Sequence, residues 1–190
     1  MVNLWRDIPP GDDPPNVVNA VIEVISWSRD KYEYNREWGV FVLDRVLYSS
    51  VVFPVEYGFV PQTYYHDNDP LDIMILSYEP LEVGCIVKVR PIGVLTLEDE
   101  EGEDPKILSV PIRDPRFDGM KDLSDIHPHK LTEIKEFFEV YKRLEPRKWV
   151  RFKSWGNAEE AKRLINYAIQ LYKETFQTTP KRLLTSSASC

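Results

Sequence analysis

Three carboxylates fall within six residues, Asp67-Asn68-Asp69-Pro70-Leu71-Asp72, with a proline wedged between them. Pro70 removes a backbone donor and pushes Asp69 toward an extended conformation. Beyond it, Leu71, Ile73 and Ile75 alternate with Asp72, Met74 and Leu76, which predicts a strand. Asp67 and Asp69 are therefore expected on a stiff loop at a strand entrance, with Asp72 just inside it. Three negative charges this close are unfavourable without a cation among them. Oxygen ligands with no cysteine nearby favour Mg²⁺, Mn²⁺ or Ca²⁺, while the adjacent His66 keeps zinc in play. A solvated acidic turn is the competing reading. A calcium-sensor loop fits poorly: counted from Asp67, Asp72 stands where glycine is needed and Tyr78 where glutamate is needed.

The elements that must hold these groups are mostly short strands. Val21 to Ile25 comes first, then a hairpin of Lys31–Tyr34 and Val40–Leu43 around the turn Asn35–Gly39. Tyr57 to Val60 leads into the acidic loop and Leu71 to Leu76 leaves it. Ile86–Leu97 and Lys106–Ile112 predict a second hairpin around the acidic connection from Asp99 to Pro105. Two helices follow. Leu131, Ile134, Phe137, Phe138, Tyr141 and Leu144 recur at helical spacing, and Asn157 with Glu160 is a capping pair opening a second apolar stripe through Ala161, Leu164, Ile165, Ala168 and Tyr172. The pattern predicts a mainly β fold with α: a small closed five-stranded OB-like β-barrel with two helices packed outside. Residues 1–176 read as a single domain and 177–190 as a disordered tail, with residues 7–16 an extended Pro/Gly/Asp-rich arm.

Composition sets limits on partners. Lys and Arg number 24 against 31 Asp and Glu, a net charge of -7, which argues against nucleic acid or an anionic membrane as partner. A small anionic substrate stays open, because bound metal reverses the local field. Cys85 reads as a buried small hydrophobe and Cys190 as a free thiol, so no disulfide framework is expected. No apolar leader or run of about 20 apolar residues is present, which predicts a cytoplasmic protein.

Chemistry-bearing residues recur along the rest of the chain. Lys31 and Glu33 share one strand face, Glu23 interrupts an apolar strand, and Arg45 closes the strand after Asp44. Asp99 and Asp104 bracket the second acidic connection, with Lys106 on the same face as Asp104, and Tyr141-Lys142 lies late in the first helix. Carboxylates for divalent ions beside Lys, Arg and Tyr donors are what phosphoryl transfer requires.

At this point the chain resembles the soluble inorganic pyrophosphatases of the barrel type, over about Val21 to Ala168. The resemblance rests on D-x-D-P-x-D at Asp67 to Asp72, K-x-E at Lys31 and Glu33, D-R at Asp44-Arg45, and Pro54-Val55-Glu56-Tyr57-Gly58. It is completed by D-x-x-G-x-D-x-K at Asp99, Gly102, Asp104 and Lys106 and by F-F-x-x-Y-K at Phe137 to Lys142. Six motifs in one order make a chance match very improbable. The resemblance implies hydrolysis of inorganic pyrophosphate to two phosphates with several Mg²⁺ ions, for which Mn²⁺ or Zn²⁺ can substitute. It assigns Asp67, Asp72, Asp99 and Asp104 as metal ligands, Glu23 and Glu33 as holders of further metal, and Asp69 as acceptor of the proton of a metal-bridged water. Lys31, Arg45, Tyr57, Lys106, Tyr141 and Lys142 would bind the substrate. Phe53 departs from the tyrosine often found there. The compact length resembles that of the prokaryotic members of the family, a resemblance that implies a homo-oligomer, with a hexamer favoured. Two other readings stay open: a Mg²⁺-dependent phosphohydrolase of organic di- or triphosphates, and a non-enzymatic OB-like binding barrel.

Overall fold

The computed structural model describes residues 2–177. Eight strands and two α-helices follow in the order β1 (Val18–Val24), β2 (Asp30–Asn35), β3 (Val40–Val46), β4 (Glu56–Phe59), β5 (Asp72–Ile75), β6 (Ile86–Asp99), β7 (Gly102–Pro111), α1 (Pro128–Val140), β8 (Val150–Asn157) and α2 (Ala158–Tyr172). The main sheet runs β1-β4-β5-β7-β6-β8, and β6 also pairs back to β1. Hydrogen bonding thus returns on itself through five strands, β1-β4-β5-β7-β6, in a ring-like arrangement. All pairs are antiparallel except β5 with β7. The strands β2 and β3 form their own two-stranded sheet.

Apolar side chains leave the ring strands on both faces, which is why Leu71 to Ile75 reads as a nearly continuous apolar run. Met74, Leu95, Leu97, Leu108 and Val110 pack with Ile134, Phe137 and Phe138 of α1. Their neighbours Ile73, Ile75, Val94 and Ile107 pack with Ala161, Ile165 and Ala168 of α2. The helices therefore sit over opposite sides of the sheet. The capping pair is as expected: Asn157 accepts the Glu160 N–H and Glu160 accepts the Asn157 N–H.

Several expectations need correction. The strand β8 is absent from the sequence expectations: only Val150-Arg151-Phe152-Lys153 alternates with period two, and the phase breaks at Ser154, where the register with β6 shifts. It extends the long end of β6 as an edge strand, with Leu97 opposite Phe152. The acidic connection from Asp99 to Pro105 is mostly strand: only Glu100 and Glu101 form the turn, and Gly102 enters β7 with φ +121°. Pro105 is tolerated within β7 because β5 begins pairing only at Lys106, so a single neighbour flanks it. The first helix stops at Val140, and Leu144 is exposed beyond its end. Cys85 is half-buried rather than buried. Of the expected tail 177–190, Gln177 ends a π-helical turn from Lys173; the rest, with Cys190, lies outside the described residues.

Candidate active site

Ring closure brings the scattered motifs to one cleft. Its larger lobe, about 240 Å³, is lined by the carboxylates Glu33, Asp67, Asp69, Asp72, Asp99 and Asp104. Facing them on the same walls are Lys31, Arg45, Tyr57, Lys106, Tyr141 and Lys142. Glu23 lies in an adjoining lobe that shares Lys31, Glu33, Tyr57, Asp67, Asp69 and Asp72. Every side chain that the resemblance assigns to metal, proton or substrate lines one of these two lobes. His66 lines neither; its Nε2 sits 3.1 Å from the Tyr167 hydroxyl on α2.

Lys106 is the buried centre of the cleft floor. Parallel pairing sets it opposite Asp72, and Asp104 stands two positions back along β7 on the same face, with only Pro105 between them. Its ammonium donates to Asp72 Oδ2 at 2.6 Å, Asp104 Oδ1 at 2.8 Å and the Tyr57 hydroxyl at 3.0 Å, while Tyr57 donates to Asp72. Burial favours the neutral amine, but Asp104 and Asp72 outweigh it and hold Lys106 well above its ordinary range. Burial pushes the Tyr57 hydroxyl well above its ordinary value, so Tyr57 stays a neutral donor.

The other cations are held by named carboxylates. Lys31 bonds Glu33 and lies 3.4 Å from Asp44 across β2 and β3. Lys142, just past the end of α1, donates to Asp99 Oδ2 at 2.9 Å; against the upward effect of burial, that bond helps bring Asp99 below its ordinary range. Arg45 donates from Nε to Asp44 at 2.7 Å and from a second nitrogen to Glu145. Sequence reasoning missed Glu145, which is buried and whose other oxygen has no hydrogen-bond partner among the described residues. It also missed Arg36, read only as part of a hairpin turn, whose guanidinium reaches Asp69 Oδ1 at 2.6 Å. Neither carried a motif signal, because each partner is distant in the chain.

Of the carboxylates assigned to metal, Glu23 and Asp67 have no cation paired with them among the described residues. Glu23 accepts the Tyr34 N–H at 2.7 Å, and burial pushes its carboxyl up to about 8. Asp67 accepts the Asp69 N–H at 3.0 Å, and burial, with Asp72, Asp69 and Asp104 nearby, pushes it up to about 6. Asp69 is also raised, by burial, against the pull of Arg36. The cleft is short of positive charge.

Residues 20–173 match the family model described as inorganic pyrophosphatase. The chain belongs to the inorganic pyrophosphatase family. It is 43% identical over 176 residues to the inorganic pyrophosphatase of Haloferax volcanii, covering 93% of this chain and 99% of that one. With the Aeropyrum pernix inorganic pyrophosphatase it shares 46% over 168 residues, 87% of this chain and 96% of that. The fold is similar to the crystal structure of the Thermus thermophilus inorganic pyrophosphatase, with TM-score 0.88 and 42% identity over 90% of this chain and 99% of that.

The pyrophosphatase family implies divalent metal, and the donor set fits it. The cleft carboxylates offer only hard oxygen ligands, and Glu23 and Asp67 are starved of countercharge. No three of the described His, Cys, Asp or Glu side chains converge into a closed cage. Carboxylates spread along the walls suit Mg²⁺, which keeps much of its water and takes one or two carboxylates per ion. Phe53, where tyrosine is common in the family, is fully buried against Phe137 (ring centroids 4.7 Å apart) and Tyr57 (5.6 Å). Its role here is packing.

Proposed function

We propose that this chain hydrolyses inorganic pyrophosphate to two orthophosphates in the cleft just described. The observation that carries the reading is the meeting of six sequence-distant motifs in one cleft, with acidic groups and phosphate-binding cations interleaved on its walls. Asp67, Asp72, Asp99 and Asp104, with Glu33 and Glu23, would hold Mg²⁺, and Mn²⁺ or Zn²⁺ would substitute. Bound divalent ions supply positive charge for the phosphate oxygens and acidify the attacking water. Asp69 takes that water's proton. Arg45, Lys142 and Lys31 bind the phosphate oxygens and favour the bond-breaking state, in which charge moves onto the departing phosphate. Lys106 and Tyr57 hold Asp72 and Asp104 in place and offer N–H and O–H donors at the cleft floor. Tyr141, fully buried against Phe137, presents its hydroxyl to the same cleft.

A carboxylate-rich cleft repels nucleic acid, which speaks against a non-enzymatic oligonucleotide-binding barrel. The larger lobe is lined by charged side chains apart from Tyr57, Gly102 and Tyr141, which favours pyrophosphate over organic triphosphates. Phosphate release by the purified chain with Mg²⁺ tests both points. Release from pyrophosphate well above that from ATP and phosphomonoesters is expected; equal or faster release from the organic substrates would overturn the substrate assignment.

No described helix is long and apolar enough to cross a membrane. We place the protein in the cytoplasm and propose a homo-oligomer, hexamer favoured. Exposed apolar side chains support assembly: Trp27 at 73%, Trp38 at 67%, and Val40, Leu43 and Val46 along β3. A sedimentation-equilibrium mass of one chain would rule assembly out.

A further inference from the structure

The Asp69 carboxylate is held by a device in the adjoining lobe that none of the six motifs contains. Arg36, on the turn between β2 and β3, spreads its guanidinium across the acidic loop. One nitrogen donates to Asp69 Oδ1 at 2.6 Å and another to the Asn68 carbonyl at 3.0 Å. The back of Arg36 is covered by the indole of Trp5, 4.8 Å from the guanidinium carbon to the ring centroid. Trp5 is itself fixed. It is 2% exposed, its Nε1 donates to the Thr63 carbonyl at 2.9 Å, and it meets Tyr172 and Phe176 edge-on at 5.2 and 5.1 Å. Asn3 ties the same segment to the turn by donating to the Arg36 carbonyl at 2.9 Å. Trp5 and Asn3 lie outside the stretch that the family model matches.

We infer that Arg36, backed by Trp5, is a positioning residue for Asp69 in pyrophosphate hydrolysis. The inference rests on the assignment of Asp69 as proton acceptor. The loop needs such a clamp: it carries two repelling carboxylates, and Asn68 at its centre adopts a left-handed backbone with φ +69°. The planar fork of arginine suits the task, because it grips a carbonyl and a carboxylate at once in fixed geometry. By occupying Oδ1, Arg36 fixes the plane of the Asp69 carboxylate and leaves Oδ2 to accept the proton. Stability does not explain the pair. The side chain of Asp69 is 62% exposed, and ion pairs that open to solvent contribute little to folding. Holding a reacting group in place is another matter, since misplacement by about 1 Å costs on the order of 100-fold in rate.

The test uses the full chain with pyrophosphate and saturating Mg²⁺. Arg36→Ala is expected to lower kcat by roughly 10- to 100-fold, with KM for pyrophosphate and the melting temperature unchanged. Arg36→Lys, which restores charge but not the fork, should recover part of the rate. Trp5→Phe should lower kcat less and in the same direction. The double variant Arg36→Ala/Asp69→Asn should be no slower than Asp69→Asn alone, because the clamp acts only through that carboxylate. Wild-type kcat in Arg36→Ala beside a slow Asp69→Asn would overturn the clamp and spare the base. A loss that appears in KM, or that multiplies fully in the double variant, would also overturn it. Wild-type turnover in Asp69→Asn would instead remove Asp69 as the base, and the inference with it.

Discussion

Asp69 and its neighbours show how one short segment divides its work by environment. Asp72 is committed to Lys106 and Tyr57, and Asp67 turns back onto the Asp69 N–H. Asp69 is the most open of the three, with one oxygen held by Arg36. Asp69→Asn preserves size and turn propensity, so folding and most metal affinity should survive. The expected result is a kcat lower by roughly 10²–10⁴-fold, the ordinary worth of a general base. The residual rate should climb with pH as hydroxide takes over from the missing carboxylate. If Asp69 only shaped the Pro70 turn, asparagine would serve as well and kcat would not change. A kcat-against-pH profile of both proteins separates the two.

The element that decides the position of Tyr57 is β4, four residues squeezed between β1 and β5. Gly58 faces Ile22 on one side and Ile73 on the other. A Cβ at Gly58 would lie 1.8 Å from the Val21 carbonyl oxygen, so no side chain fits unless β4 moves off β1. Such a shift would drag Tyr57 away from Asp72 and Lys106. Gly58→Ala should therefore destabilise the fold by about 3 kcal/mol or more, since the obstacle is backbone. Thermal melting reads this directly, and a wild-type melting temperature would show that the ring tolerates the displacement. The hairpin of β6 and β7 plays a comparable part: its register sets Asp104 opposite Leu97 and Asp99 opposite Gly102, which brings both carboxylates to the cleft rim.

Over the whole molecule, the crowding of carboxylates makes stability depend on pH and metal. In the metal-free chain Glu23 titrates at about 8 and Asp67 at about 6, both above their ordinary values of 4.5 and 3.8. The folded chain therefore binds protons that the unfolded chain releases between about pH 4 and 8. Stability from these groups is fully present below their unfolded values and is lost as pH rises through 6 and then 8. The buried Glu23 accounts for on the order of a few kcal/mol of that loss. Melting in EDTA should accordingly occur at lower temperature at pH 8 than at pH 6. Mg²⁺ should remove the difference, because metal would bind the deprotonated carboxylates of the folded state and not those of the unfolded chain. Glu23→Gln should flatten the EDTA profile; an unchanged slope in that variant would show that the proton sits elsewhere.

Local order was legible in the amino acids because it depends on neighbours in sequence. The period of Leu71 to Leu76 gave a strand, Pro70 stiffened its entrance, and Asn157 with Glu160 opened α2. The motif residues could be named because residue type and short spacing carry their chemistry. In β8 the alternation lasts only from Val150 to Lys153 before a register shift breaks it, too short a signal to read. The pairings that complete the cleft were not legible at all. Lys106 meets Asp72 through a parallel register 34 residues apart, Arg36 meets Asp69 at a separation of 33, and Arg45 meets Glu145 across 100. Those distances are fixed by which strands close the ring and in what register. Ring closure sums the packing of every strand, and no single stretch of sequence contains it.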